Sequence, residues 1–234
     1  MKKTLTNIAI VAALAATSSV AMANKAGDMI ARVGAVNVTP SSDEATIYAG
    51  GNKVDLGAGA LTASVESETQ LGINFVYFAT DKIAVELLAA TPFSHDLKVH
   101  SGSTELDLGK TKHLPPTLSA LYYLNAPSDK FQPYVGLGLN YTVFFEEEFA
   151  PGVTGAGSVG GLNLTDLKLK NSWGLSAQVG FDYHLDEKWL VNASARYIDI
   201  DTTATFKAID GSVPGKVEVS IDPMVYMVSV GYKF

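Results

Sequence analysis

M-V-Y-M-V-S-V-G-Y-K-F, residues Met224 to Phe234, is the stretch that decides the fold. Met224, Tyr226, Val228, Val230, Tyr232 and Phe234 form one apolar and aromatic row, and the residues between them include Ser229, Gly231 and Lys233. A period of two places the rows on opposite faces of an extended strand. One face stays greasy to the last residue; the other is small or polar. A barrel in lipid needs that contrast, with one face toward acyl chains and one toward a lumen.

Seven earlier segments alternate in the same way. They run about 29–39, 68–79, 82–90, 117–124, 131–145, 167–184 and 189–201, and the eighth runs 216–234. Their outward rows include Val33, Phe75, Leu87, Leu118, Leu139, Trp173 and Tyr197. Short turns at 80–81, 125–130 and 185–187 alternate with long connections at about 40–66, 91–116, 146–166 and 202–215. The expected fold is all-β: an eight-stranded antiparallel transmembrane β-barrel, an up-and-down meander with short periplasmic turns and long extracellular loops. Both termini are then periplasmic. Phe234, an aromatic last residue on a two-faced strand, reads as the insertion signal of an outer-membrane barrel, with outer-membrane lipid, lipopolysaccharide and the barrel-assembly machinery as partners. Parity switches around Pro223, from Val217, Val219 and Ile221 to Met224, Tyr226 and Val228, which predicts a β-bulge at Asp222-Pro223 that turns the first three toward the lumen.

The N-terminal segment agrees with export. Lys2 and Lys3 precede an apolar run, Leu5 to Ala16, and Ala21-Met22-Ala23 is a small-x-small cleavage site. Residues 1–23 are expected to be a cleaved signal peptide and 24–234 a single barrel domain. Removing the two lysines takes the formal net charge from −7 to −9. An acidic chain with scattered Lys and Arg points away from nucleic acid. The chain has no cysteine, which excludes a disulfide framework, a thiolate metal site and a thiol nucleophile. No long apolar run follows the signal, yet 47% of residues are hydrophobic and 18% charged. Apolar residues spread in alternation suit strands that cross a membrane and not helices.

Longer strings carry a resemblance. F-V-Y-F-A-T-D-K-I-A-V-E-L-L-A-A-T-P-F (75–93), H-L-P-P-T-L (113–118), K-F-Q-P-Y-V-G-L-G-L-N-Y (130–141), N-S-W-G (171–174), W-L-V-N (189–192) and D-I-D-T-T-A (199–204) resemble the OmpW family of outer-membrane proteins. The resemblance covers essentially the whole chain after residue 23. It implies an eight-stranded barrel with an apolar upper lumen and a passive role as channel, porter or binder for small hydrophobic molecules. It also implies a bulky aromatic at the position of Arg196, forming a constriction with Leu88; the arginine departs from that pattern.

Inward parity supplies the candidate site. Arg32, Glu86 and Asp182 lie near the periplasmic end, with Gln132 and Gln178 also inward. Buried charges must pair, so these three are expected to form an ionic plug; a proton or ion relay is the alternative. Above them Leu88, Leu121, Phe144, Ile198 and Ile200 are read as lumen and ligand pocket, with Val217 and Val219 beside them. A pocket and a packed core are equally compatible with that pattern, and the resemblance favours the pocket. Arg196 is read as pairing downward with Glu86 or capping the pocket floor. With the floor plugged, sideways release into the membrane is expected over a straight channel. His95, His100 and His113 flank one outer connection and are read as surface residues, not metal ligands. No outward strand position sets Ser beside His, so no enzyme, cofactor or metal is expected. The rival reading is a structural or adhesion barrel whose outer loops bind phage, bacteriocin or host surfaces.

Overall fold

The computed structural model describes residues 24–41, 45–49, 51–53, 62–101, 104–155, 158, 163–208, 211 and 213–234. The proposed signal peptide, 1–23, lies outside the described residues, as does part of the first long connection. In chain order the strands are β1 (Met29–Thr39), β2 (Ala45–Thr46), β3 (Tyr48–Ala49), β4 (Asn52–Lys53), β5 (Thr62–Val65), β6 (Glu68–Phe78), β7 (Ile83–Ala90), β8 (Phe93–Ser101) and β9 (Thr104–Leu114). They continue with β10 (Thr117–Tyr123), β11 (Phe131–Phe149), β12 (Thr165–Leu169), β13 (Ser172–His184), β14 (Trp189–Ile198), β15 (Asp201–Ala208), β16 (Val213–Ser220) and β17 (Met224–Lys233).

Eight of these close a ring in the order β1-β6-β7-β10-β11-β13-β14-β17, and β17 pairs back onto β1. Every neighbouring pair is antiparallel. Closure leaves the ring without a free edge strand, so backbone groups of the wall pair across strands, which a sheet needs in lipid. The registers set the outward rows side by side: Val33 pairs with Val230 and Ile73, Leu139 with Leu118 and Leu175. Leu137 and Val228 stand about 70% exposed on this wall (71% and 68%). In water so large an apolar surface would drive association; against acyl chains it carries no such penalty.

Aromatic contacts bracket the band. At the end carrying the tight turns, Trp189, Tyr232 and Phe234 form an edge-to-face row with centroids 5.0 Å apart. At the opposite, loop end, Tyr141 and Trp173 lie 4.5 Å apart. From Phe131 to Tyr141, β11 climbs about 25 Å along the barrel axis if strands rise ~3.3 Å per residue and tilt ~40°, which is the apolar thickness of an outer-membrane barrel. The turns are held locally. Asp186 Oδ1 accepts the backbone N–H groups of Lys188 and Trp189, each at 2.8 Å, and those bonds hold its carboxyl below the usual range. Thr80 Oγ1 accepts from Ile83 N at 2.9 Å.

Beyond the aromatic pair the long connections carry strands of their own. β8 and β9 pair antiparallel, and upper β11 pairs with β9. β5 and β2 extend that sheet, while β12, β15, β16, β3 and β4 form a second one. The sixth and eighth segments therefore each divide in two. The divide at Asp222-Pro223 is a strand break and not an in-strand bulge: residues 221–223 are not strand and Asp222 takes φ 36°. No extra residue is inserted, since Tyr197 pairs with Met224 and Asp201 with Ser220, and Ile221 N still donates to Ile200 O and Ile198 N to Pro223 O. The change of face occurs as expected, with Val217 buried. The outward residues of this extension are polar because they meet water instead of lipid; Lys112 pairs with Glu146 and Lys110 with Glu148 (3.8 Å).

One ladder is interrupted. Between the pairs Leu88–Thr117 and Phe93–His113, no backbone pairing joins 89–92 to 114–116. Pro92, Pro115 and Pro116 have no N–H to donate there. The interruption sits at the level of Tyr141, whose N–H donates to Pro116 O at 3.1 Å.

Candidate functional site

Two inward regions of different chemistry fill the barrel. In the lower one, Arg32 of β1, Glu86 of β7 and Asp182 of β13 are wholly buried and in contact. Arg32 Nη1 donates to Glu86 Oε2 at 3.0 Å, and Nη2 to Asp182 Oδ2 at 2.5 Å and to Tyr123 Oη at 3.0 Å. Arg196 of β14 turns down to pair with the other Glu86 oxygen and with Gln178 Oε1 (2.8 Å). Two guanidiniums thus face two carboxylates, and the formal charge cancels. Neutral donors saturate the remaining lone pairs. Asn74 and Gln178 donate to Glu86 at 2.8 and 2.7 Å; Tyr123 and Asn192 donate to Asp182, each at 2.9 Å. Tyr134 stacks under the Arg32 guanidinium at 5.6 Å. Gly136 opens the space these groups need, since a Cβ there would strike Leu121 and Gln178.

Sequence parity misses the part played by Asn74, Tyr123, Tyr134 and Asn192, though each is an inward polar residue within a strand. Gln132 is buried but lies outside the network; it donates to Ala126 O and Asp129 O (2.6 and 2.8 Å) and pins the turn. Leu121, expected in the upper lumen, is not there. Ser119, not Leu121, stands opposite Glu86, so Leu121 lies one pleat nearer the turn end. It packs with Ile30, Val76, Phe78, Tyr123 and Leu190 in a small core around the plug.

Above the charges comes an apolar layer. Leu88 and Ile198 stand one pleat above Glu86 and Arg196 and pack with Val36, Phe93, Phe144, Ile200, Val225 and Met227. Leu88 and Ile198 form the floor beneath an upper cavity and do not line it; of the residues expected in the pocket, Phe144 and Ile200 do. Arg196, drawn into the plug, neither caps the floor nor builds an aromatic constriction with Leu88.

The upper cavity, about 110 Å³, is enclosed within the strand extension. Its walls include Leu97, Val99, Phe149, Leu167, Phe206 and Val217, and among the described residues no Lys, Arg, Asp or Glu lines it. Since on the order of 10–15 Å³ of such space holds one water, there is room for a small organic molecule. Val219 and Ile221 also line it. Two histidines line it as well, which corrects their assignment to the surface: His95 is 2% and His113 6% exposed. Their rings stack at 4.8 Å, flanked by Phe93 and Phe144. The inward parity of Phe93, His95, Leu97 and Val99 is the signal that could have found them. His184, near the turn end, is also fully buried.

The OmpW family model covers residues 25–234. The chain belongs to the OmpW family. It is 43% identical to outer membrane protein W of Vibrio cholerae over the full length of both chains. It is 46% identical to outer membrane protein W of Escherichia coli, across 96% of this chain and 98% of that one. The crystal structure of the outer membrane protein OprG from Pseudomonas aeruginosa matches with a TM-score of 0.81 at 42% identity, covering 91% and 98% of the two chains. The barrel is accordingly an outer-membrane barrel of this family, and no catalytic activity is indicated by its relatives.

Proposed function

We propose that the barrel takes up small hydrophobic molecules from outside the cell, holds them in the upper cavity and releases them sideways into the membrane, without chemistry. The observation that carries this reading is the contrast within the lumen: an apolar cavity on the loop side, with no charged side chain among its described wall residues, rests on a neutral, hydrogen-bonded ionic plug. An apolar molecule gains by leaving water for such walls. Passing straight down would require it to part buried ion pairs. The proline-rich interruption between 89–92 and 114–116 offers the other way out, because no backbone hydrogen bonds need break there. It lies at the aromatic level where lipid begins.

The orientation belongs to the same proposal. Residues 1–23 are removed on export, 24–234 form one domain, and both termini face the periplasm. Phe234, 71% exposed beside Tyr232, presents its ring for insertion by the barrel-assembly machinery, and lipopolysaccharide surrounds the loop end. Arg32, Glu86, Asp182 and Arg196 serve as a structural floor. Leu88, Phe144, Ile198 and Ile200 form the apolar base of the binding region.

Uptake by proteoliposomes tests this. Liposomes carrying the barrel should take up a small apolar solute saturably and faster than empty liposomes, and Val217→Lys, which sets an ammonium in the cavity wall, should remove the difference. Equal uptake by loaded and empty liposomes overturns the proposal.

A further inference from the structure

The cavity is apolar apart from its two histidines and a few hydroxyls, and those hydroxyls are engaged. Thr142 Oγ1 donates to Asn140 Oδ1 at 2.7 Å, Thr202 Oγ1 to Lys170 O at 2.6 Å, and Ser64 Oγ meets His100 Nε2 at 2.8 Å. His95 differs. Its Nδ1 lies 2.5 Å from the carbonyl oxygen of Glu66. A carbonyl only accepts, so Nδ1 carries the hydrogen. Burial holds the ring below the ordinary histidine range, despite the raising effects of that bond and of Glu68 and Asp96, and the ring is therefore neutral near pH 7. In a neutral imidazole with Nδ1 protonated, Nε2 is a bare lone pair.

That lone pair is buried and has no hydrogen-bond partner among the described residues. A buried acceptor left unsatisfied is costly, and His95 forms part of the cavity wall. Its position is fixed from three sides: the Glu66 carbonyl, the His113 ring at 4.8 Å and the Phe93 ring at 6.2 Å. Resting on the reading of the cavity as a binding site, we infer that its preferred occupant is an uncharged amphipathic molecule, with an apolar body against Leu97, Phe149 and Phe206 and one hydroxyl that donates to His95 Nε2. The geometry selects among head groups. A carboxylate or an ether can only accept and would face the lone pair with another. A cation would have no carboxylate among the described wall residues to balance it. An alkane fits but leaves Nε2 unsatisfied.

Three probes with matched tails decide this: 1-octanol, its methyl ether and n-octane, titrated into the full-length barrel in lipid nanodiscs. One hydrogen bond to a buried acceptor corresponds to roughly a fivefold to tenfold preference, so octanol should bind that much tighter than the ether. His95→Phe keeps a ring in the stack and should level octanol with the ether while octane binding persists. The ¹⁵N resonance of His95 Nε2 in the unmutated barrel provides a readout independent of that variant. It should move on adding octanol and stay in place on adding octane. Equal binding of all three probes with an unmoved Nε2 resonance overturns the hydroxyl anchor and leaves the cavity reading intact. No binding of any probe overturns both.

Discussion

The two halves of the lumen use the same strand periodicity for opposite ends. In the lower half, inward positions carry Arg32, Glu86, Asp182 and Arg196, and both carboxylates are held by a guanidinium and by neutral donors. In the upper half, inward positions carry Leu97, Val99, Phe206 and Val217, and they surround open space. The difference lies in how interior volume is managed. An eight-stranded ring leaves room only for side chains, and long polar ones fill it by meeting at its centre. The extension is held by two separate sheets and does not fill. A plug with a pocket above it results from one alternating pattern with a change of residue class halfway up.

The sharpest way to break this contrast is to unbalance the plug. Glu86→Ala leaves two guanidiniums facing one carboxylate, and breaking a buried ion network costs about 3–5 kcal/mol. Urea unfolding in lipid vesicles should show that loss, while the folded fraction still binds an apolar probe. A variant as stable as the parent would mean the network is not holding the lower lumen. Next in size is the converse change. Val217→Lys should weaken binding of an apolar probe at least tenfold, an effect of about 1.4 kcal/mol or more, and lower the urea midpoint less than Glu86→Ala does. A larger loss of stability than of binding would erase the distinction between the halves.

Acid separates the halves by another route. Burial first, and the neighbouring His95 second, hold His113 down to about 3. An unfolded histidine takes up its proton near 6.5. The β8–β9 pair is therefore fully stabilised above about pH 6.5 and loses stability as pH falls from there toward 3. Hydrogen-exchange protection of β9 amides, corrected for intrinsic rates, should fall across that window and should be flatter in His113→Phe. The smallest expected effect lies outside both halves. Asp186→Ala removes two turn hydrogen bonds and should cost about 1 kcal/mol with binding unchanged.

Most of the wall is legible in the sequence because lipid demands a greasy outward row, and Phe75, Leu118, Leu139 and Trp173 supply it in strict alternation. The extension is not, because its outward residues face water. Lys98, Lys110 and Lys112 interrupt the apolar signal, and residues 93–114 read as a loop although Phe93, His95, Leu97 and Val99 alternate inward. The charged trio at the plug is legible from parity, since an inward charge must find an opposite one. Height is harder. Parity gives a residue's face but not its level, so it sets Leu121 above the plug when its register with Ala84 puts it below. Parity also leaves Arg196 between two roles because it does not say which way a long side chain bends; Glu86 and Gln178 decide that.

The central claim is that an apolar molecule occupies the upper cavity and stops above the charges. Crystals of the barrel soaked with 1-bromooctane test it directly through the anomalous signal of bromine. The account predicts a bromine peak inside the extension, between Phe144 and Phe206 and above the Leu88–Ile198 floor. A peak below Arg196, or an empty lumen with bromine only on the outer wall, would contradict it.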